Sequence, residues 1–108
     1  MNNDMPIEVK NYFESGRRKI KKVVPNNDFT LSITFDNNEI RIFDMKESLK
    51  GTVFKPFREL FNFKRVYVDN SGCIAWDVDP NVNSDKVWSN KGDLCPDSCY
   101  IYSVPVLN

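Results

Sequence analysis

The sequence contains no histidine. That absence removes Ser-His-Asp and Cys-His nucleophilic mechanisms, histidine-containing zinc sites, and the one side chain that titrates near neutral pH without help from its surroundings. Glycine is almost as scarce. Gly16, Gly51, Gly72 and Gly92 are too scattered to build a phosphate-cradling loop, so nucleotide binding of the common kinds is not expected. Cysteine is limited to Cys73, Cys95 and Cys99, an odd set without an export signal, so reduced thiols are expected rather than a disulfide framework. No apolar run approaches the roughly 20 residues needed to cross a bilayer. Met1-Asn2-Asn3-Asp4 lacks the basic and apolar regions of a signal peptide, so a cytoplasmic protein without a membrane role is expected. Net charge is missing too: fifteen basic residues balance fifteen acidic ones, which argues against a strong whole-surface field for nucleic acid or anionic lipid.

What is present suffices for one folding unit. A chain of 108 residues with 41% hydrophobic and 13% aromatic content is close to the commonest size of a single domain and is not a disordered tail or a low-complexity linker. Residues 17–102 are expected to form that domain, with an N-terminal extension over 1–16 and a C-terminal tail over 103–108.

Hydrophobic periodicity outlines the elements. Met5, Ile7 and Val9 alternate like a strand while Val9, Tyr12 and Phe13 have helical spacing, leaving the first segment open. Lys19 to Val24 reads as a strand, and Pro25-Asn26-Asn27-Asp28 supplies turn chemistry. In the following Phe29-Thr30-Leu31-Ser32-Ile33-Thr34-Phe35, strict alternation aims the apolar residues at a core. A two-residue loop at Asn37-Asn38 would pair Phe35 with Ile40 and Ile33 with Ile42. Pro56 to Phe61 reads as a short helix with Phe57, Leu60 and Phe61 on one face. Val66-Tyr67-Val68 and Ile74-Ala75-Trp76 form a second hairpin, with Gly72 placed for a positive backbone angle. Asp77 to Gly92 reads as a long loop, and Pro96 to Tyr102 as a last short helix. The expected class is α+β: an antiparallel sheet built from two β-hairpins with one or two short helices packed on it.

Three groups of residues could carry function. Arg17, Arg18, Lys19, Lys21 and Lys22 form a basic run that could contact phosphate, with Tyr67 or Trp76 stacking on bases; alternating charges of this kind also serve as a solvated strand edge. Asp77, Asp79, Asn81, Asn83 and Asp85 put oxygen-bearing side chains at alternate positions, as in a calcium loop. That pattern departs from the calcium loop where its geometry is strict: Val82 stands where glycine makes the sharp turn, Trp88 where a bidentate glutamate belongs, and Pro80 stiffens the middle. Trp76 and Trp88 bracket this loop, either as a binding platform or as core anchors. Cys95 and Cys99, at a C-x3-C spacing, lack the further ligands a structural zinc site needs and read as small buried apolar residues. No cofactor is expected, and no catalytic pair of carboxylates can be read.

Three stretches resemble a known family: Phe35-Asp36-Asn37-Asn38-Glu39-Ile40-Arg41-Ile42-Phe43-Asp44, Val68-Asp69-Asn70-Ser71-Gly72-Cys73-Ile74-Ala75-Trp76, and Val87-Trp88-Ser89-Asn90-Lys91-Gly92-Asp93-Leu94-Cys95-Pro96-Asp97-Ser98-Cys99-Tyr100. The chain is similar to the bacterial domain-of-unknown-function family 2442 over about residues 17 to 102, most specifically in the closing Trp-Asn-Asp-Leu-Cys-Pro-Asp-Tyr pattern. It departs from the family where Cys99 replaces a leucine and where Asn38 replaces a hairpin glycine. The resemblance implies a small α+β domain without established catalytic activity. Some members carry a helix-turn-helix, and many are encoded beside another small protein, an arrangement like a toxin-antitoxin or regulatory pair. The chain runs only a few residues past Tyr100, so a DNA-binding extension is not expected. The leading expectation is therefore a non-enzymatic interaction or regulatory module, antitoxin-like, whose partner is another small protein or a second copy of itself. Its expected binding surface is Trp76, Asp85, Trp88, Asn90, Asp93 and Asp97. Nucleic-acid binding through 17–22, and weak calcium or small-ligand binding at 77–85, are the alternatives.

Overall fold

A computed structural model describes residues 6–106. Met5 of the possible strand alternation, and Leu107 and Asn108 of the tail, lie outside the described residues. The open first segment is a helix, α1 (Ile7–Ser15), which stops at Gly16 with φ +98°. Its buried residue, Tyr12, donates its hydroxyl hydrogen to Asp97 Oδ1 at 2.5 Å and accepts the Arg18 N–H at 2.9 Å. The first of these bonds ties α1 to the helix that contains Asp97, α3 (Pro96–Ile101), and the second ties it to the segment that leads into the first strand.

The first sheet is antiparallel in the order β1 (Ile20–Pro25), β2 (Thr30–Phe35), β3 (Ile40–Asp44), β7 (Val104–Pro105). Alternation in β2 works as expected: Leu31, Ile33 and Phe35 are fully buried. The hairpin register differs by one residue from the expectation. Phe35 accepts no partner at Ile40; its N–H donates to the Glu39 carbonyl at 2.9 Å, and Ile33 pairs with Arg41 rather than Ile42. The cause is a three-residue loop, Asp36-Asn37-Asn38, closed by Asn38 in the left-handed region at φ 68°. A one-residue slip changes which side chains share a face. Glu39 and Arg41 therefore join the side of Phe35, where Arg41 lies over the Tyr100 ring at 4.3 Å, while Ile40 is exposed.

The second hairpin falls in a separate antiparallel sheet, in the order β4 (Tyr67–Val68), β5 (Ile74–Asp77), β6 (Lys91–Leu94). Its turn uses the same device, with Gly72 at φ 84° and the Asp69 N–H bonded to the Cys73 carbonyl. The α+β class holds, with two sheets in place of one. Strand β6 lies at the end of the expected long loop. Gly92 there meets the core closely, since a Cβ would come within 3.3 Å of the Phe54 ring.

The segment between the sheets supplies the aromatic core. It is not one helix: a 3-10 turn (Lys55–Arg58) and α2 (Leu60–Phe63) are separated by extended Glu59 at ψ 124°. That break turns Phe61 outward, contrary to its expected place beside Phe57, and brings Phe63 in instead. Phe54, Phe57 and Phe63 surround Trp76, whose indole N–H donates to the Phe63 carbonyl at 2.8 Å. One core thus joins Leu31, Ile33 and Phe35 of the first sheet to Ile74 and Trp76 of the second.

Candidate functional site

Side chains on the outer face of the second sheet follow from register alone. Tyr67 pairs with Ala75 and Ala75 with Asp93, while Asp77 pairs with Lys91, so these residues project away from Ile74 and Trp76. Asp69, one pair further along at the turn, shares that face. Its carboxylate is built in firmly: Oδ1 accepts the N–H groups of Ser71 and Cys73, and Oδ2 takes the Lys91 ammonium at 2.9 Å. Burial pushes the Asp69 carboxyl up, but Lys91 and the two N–H donors outweigh it and hold it below its ordinary value.

The loop from Asp77 to Asn90 folds over this face. Asn90 is the peg that fixes it. Buried at 8% exposure, its Oδ1 accepts the Asp79 N–H, and its Nδ2 donates to the carbonyls of Asp79 and Val82 and to Ser84 Oγ. Asp77 Oδ1 accepts from Tyr67 and Ser84 hydroxyls at 2.7 and 2.6 Å. Between loop and sheet lies an open cleft of about 470 Å³ lined by Tyr67, Asp69, Asp77, Ser84, Asp85 and Lys91, among others. Three carboxylates face it against one ammonium. Lys91 is spent on Asp69, and burial together with the bond to Asp77 pushes the Tyr67 hydroxyl pKa up, so that group stays a neutral donor. The exposed Asp85 side chain makes no hydrogen bond or ion pair among the described residues, leaving its charge available at the rim.

This arrangement sorts the expected site residues. Trp76 is fully buried and Asn90 is nearly so; neither can touch a partner or stack on a base, because the core and the loop each need it. Asp97 is held by Tyr12 and by Arg17 at 2.9 Å, so it joins α1 to α3. Asp85, Asp93 and Trp88 are exposed, Trp88 at 84%. The calcium-type pattern does not converge. Asp79 and Asn83 accept the N–H groups of Asn81 and Asp85 in local turns, and Asp77 faces Tyr67 and Ser84. Among the described residues, the one set of three carboxylate or thiol donors within 4.8 Å is Asp69, Cys73 and Asp93. In the basic run, Arg17 pairs with Asp97, Arg18 approaches Asp36 at 3.8 Å, and Lys21 donates to Asn38 Oδ1; Lys19 and Lys22 are exposed. Of the cysteines, Cys99 is buried as expected, but Cys95 is exposed because it caps α3 rather than entering the core.

A second groove, about 260 Å³, contains Arg18, Arg41, Tyr12 and Tyr100. Arg41 there is fully engaged, by Glu39 and by the hydroxyl and carbonyl of Ser103. The acidic cleft is thus the larger and chemically freer site. Sequence reading missed Tyr67, Asp69, Ser84 and Lys91 as its walls; a register linking Asp77 to Lys91 would have found them.

An α+β domain with two antiparallel sheets and an acidic cleft on the outer face of one is the class these features define. Residues 20–98 match the family model described as protein of unknown function (DUF2442), and the chain belongs to that family. No curated protein and no solved structure matches it.

Proposed function

We propose that this chain is a non-enzymatic, cytoplasmic protein-binding module that receives a basic side chain of a small protein partner in the cleft between the 77–90 loop and the second sheet. The observation that carries this reading is the charge inventory of the cleft: Asp69, Asp77 and Asp85 face Lys91, and Lys91 already neutralises Asp69. An incoming lysine or arginine would meet Asp85 at the rim and a fixed row of oxygen acceptors behind it, which favours recognition by complementary charge. Asp93, exposed on the same face, extends the negative surface. The regulatory, antitoxin-like role implied by the family's paired arrangement fits a domain that works by holding one partner.

Nuclease-treated lysate of the native host, passed over the immobilised protein and over its Asp85→Lys/Asp93→Lys variant, tests the proposal. Among the described residues neither carboxylate makes a hydrogen bond or an ion pair, and because Asp93 stands beside Asp69 and Cys73 the melting temperature of the variant is compared with that of the wild type before binding is read. One stoichiometric protein retained by the wild type and lost from the variant is the expected result. Equal retention by both, or retention of nucleic acid alone, would overturn it.

A further inference from the structure

Cys73 and Cys95 stand opposite each other where β5 and β6 begin and end. The ladder pairs Ile74 with Leu94, so the next residues outward on the two strands are these two cysteines. On its other side the Cys73 carbonyl accepts the Asp69 N–H at 2.9 Å, which points the peptide groups of Cys73 toward β4 and away from β6. The Cys73 and Cys95 positions therefore form a non-hydrogen-bonded pair, the closer of the two antiparallel arrangements, in which Cα atoms sit about 4.5 Å apart. Disulfides accept Cα separations of about 4.4–6.8 Å. Alternation puts both side chains on the outer face with Ala75 and Asp93. Neither is sealed off: Cys73 is half-buried and Cys95 exposed, whereas Cys99 is buried in the core.

We propose that Cys73 and Cys95 are an oxidation site that closes to a cross-strand disulfide in the presence of a low-molecular-weight disulfide. The Cys95 thiol begins the exchange because it is the accessible one. It now donates to Ser98 Oγ at 3.2 Å and accepts the Ser98 N–H at 3.4 Å, contacts it gives up by rotating about its Cα–Cβ bond. Its thiolate, having released one proton, attacks the oxidant's S–S bond, forming a mixed disulfide and expelling one thiolate. Cys73 then attacks the Cys95 sulfur, releases its own proton and expels the second thiolate. Two protein thiols are oxidised and one small disulfide is reduced to two thiols. Burial and the carboxylates of Asp69 and Asp93 push the Cys73 thiol up, so it reacts with an external disulfide more slowly than the exposed Cys95 does, and it attacks once the mixed disulfide is held beside it on the neighbouring strand. Burial pushes Cys99 up to about 12, keeping it a protonated spectator.

Incubation of the reduced full chain with glutathione disulfide, followed by non-reducing digestion and fragment mass spectrometry, tests the inference. The expected product is a monomer short of two hydrogens, with Cys73 linked to Cys95 and Cys99 free. Cys99→Ala should give the same link. Cys95→Ser, which keeps a good helix cap, should slow loss of the Cys73 thiol at least tenfold. The same reaction in urea should scramble the pairing. A Cys95 to Cys99 link, glutathione retained on Cys95, a disulfide between two chains, or three surviving thiols would each overturn the proposal.

Discussion

Lys91 on β6 places its ammonium 2.9 Å from Asp69 Oδ2, joining the last strand of the second sheet to a turn 22 residues earlier. The Asp69 side chain is 7% exposed and that of Lys91 24%, so the pair is partly shielded from solvent and salt. Asp69 is held below its ordinary value despite its burial, so the unfolded chain binds a proton there more readily than the folded one. The stability it contributes is present above the unfolded value, about 4, and is lost as pH falls through the lower folded value. Melting temperature should therefore drop below about pH 4 in the wild type. In Asp69→Asn that part of the acid sensitivity should be missing, with a lower melting temperature at neutral pH.

Asn90 holds the wall of the cleft. Asn90→Ala would orphan the Asp79 N–H and remove the two Nδ2 hydrogens shared by the Asp79 and Val82 carbonyls and Ser84 Oγ, with a cost of about 2–4 kcal/mol, since each buried unsatisfied group costs about 1–3 kcal/mol and the loop relaxes in part. Urea unfolding followed by circular dichroism measures that loss. Asn90→Asp should also destabilise, because its oxygens would face the carbonyls of Asp79 and Val82.

The two tryptophans differ in surroundings and should differ in signal. Trp88→Phe removes the exposed indole and should change stability by less than about 0.5 kcal/mol, leaving the blue-shifted, quencher-resistant emission of Trp76. Trp76→Phe breaks the bond to the Phe63 carbonyl and leaves a void among Phe54, Phe57 and Phe63. It should cost about 2–4 kcal/mol and leave only iodide-quenchable emission.

Asn38 sets the register of the first hairpin. Asn38→Gly keeps the left-handed angle available and should be nearly neutral, losing the Lys21 contact. Asn38→Ala should cost about 1 kcal/mol, the ordinary penalty of a Cβ in that region. Thermal melts of the two variants side by side separate the backbone effect from the side-chain effect.

The legible parts of the fold are those with strong local signals. Alternation fixed the buried face of β2, Gly72 marked the second turn, and Pro96 marked the start of α3. The first hairpin slipped by one because Asn37 and Asn38 are both competent turn residues, and only the backbone of Asn38 distinguishes a three-residue loop from a two-residue one. Strand β6 was illegible because Gly92 and Asp93 disfavour strands locally; its place comes from pairing with Trp76 and Ala75 and from close packing of Gly92 on Phe54. The site suffered most. Asp85 was visible as a charged loop residue, but Asp69 and Lys91 become neighbours only through the sheet, and Trp76 and Asn90 could be told from surface residues only by their burial.

The central claim is that the acidic cleft recognises a basic group of a protein partner, and it is tested most directly by titrating that partner into the wild type and into Asp85→Lys/Asp93→Lys over a salt series. Affinity weakened at least about tenfold in the variant, a change of 1.4 kcal/mol or more, with a flatter salt dependence, is the predicted result. Equal affinity and equal salt dependence for the two proteins would contradict it.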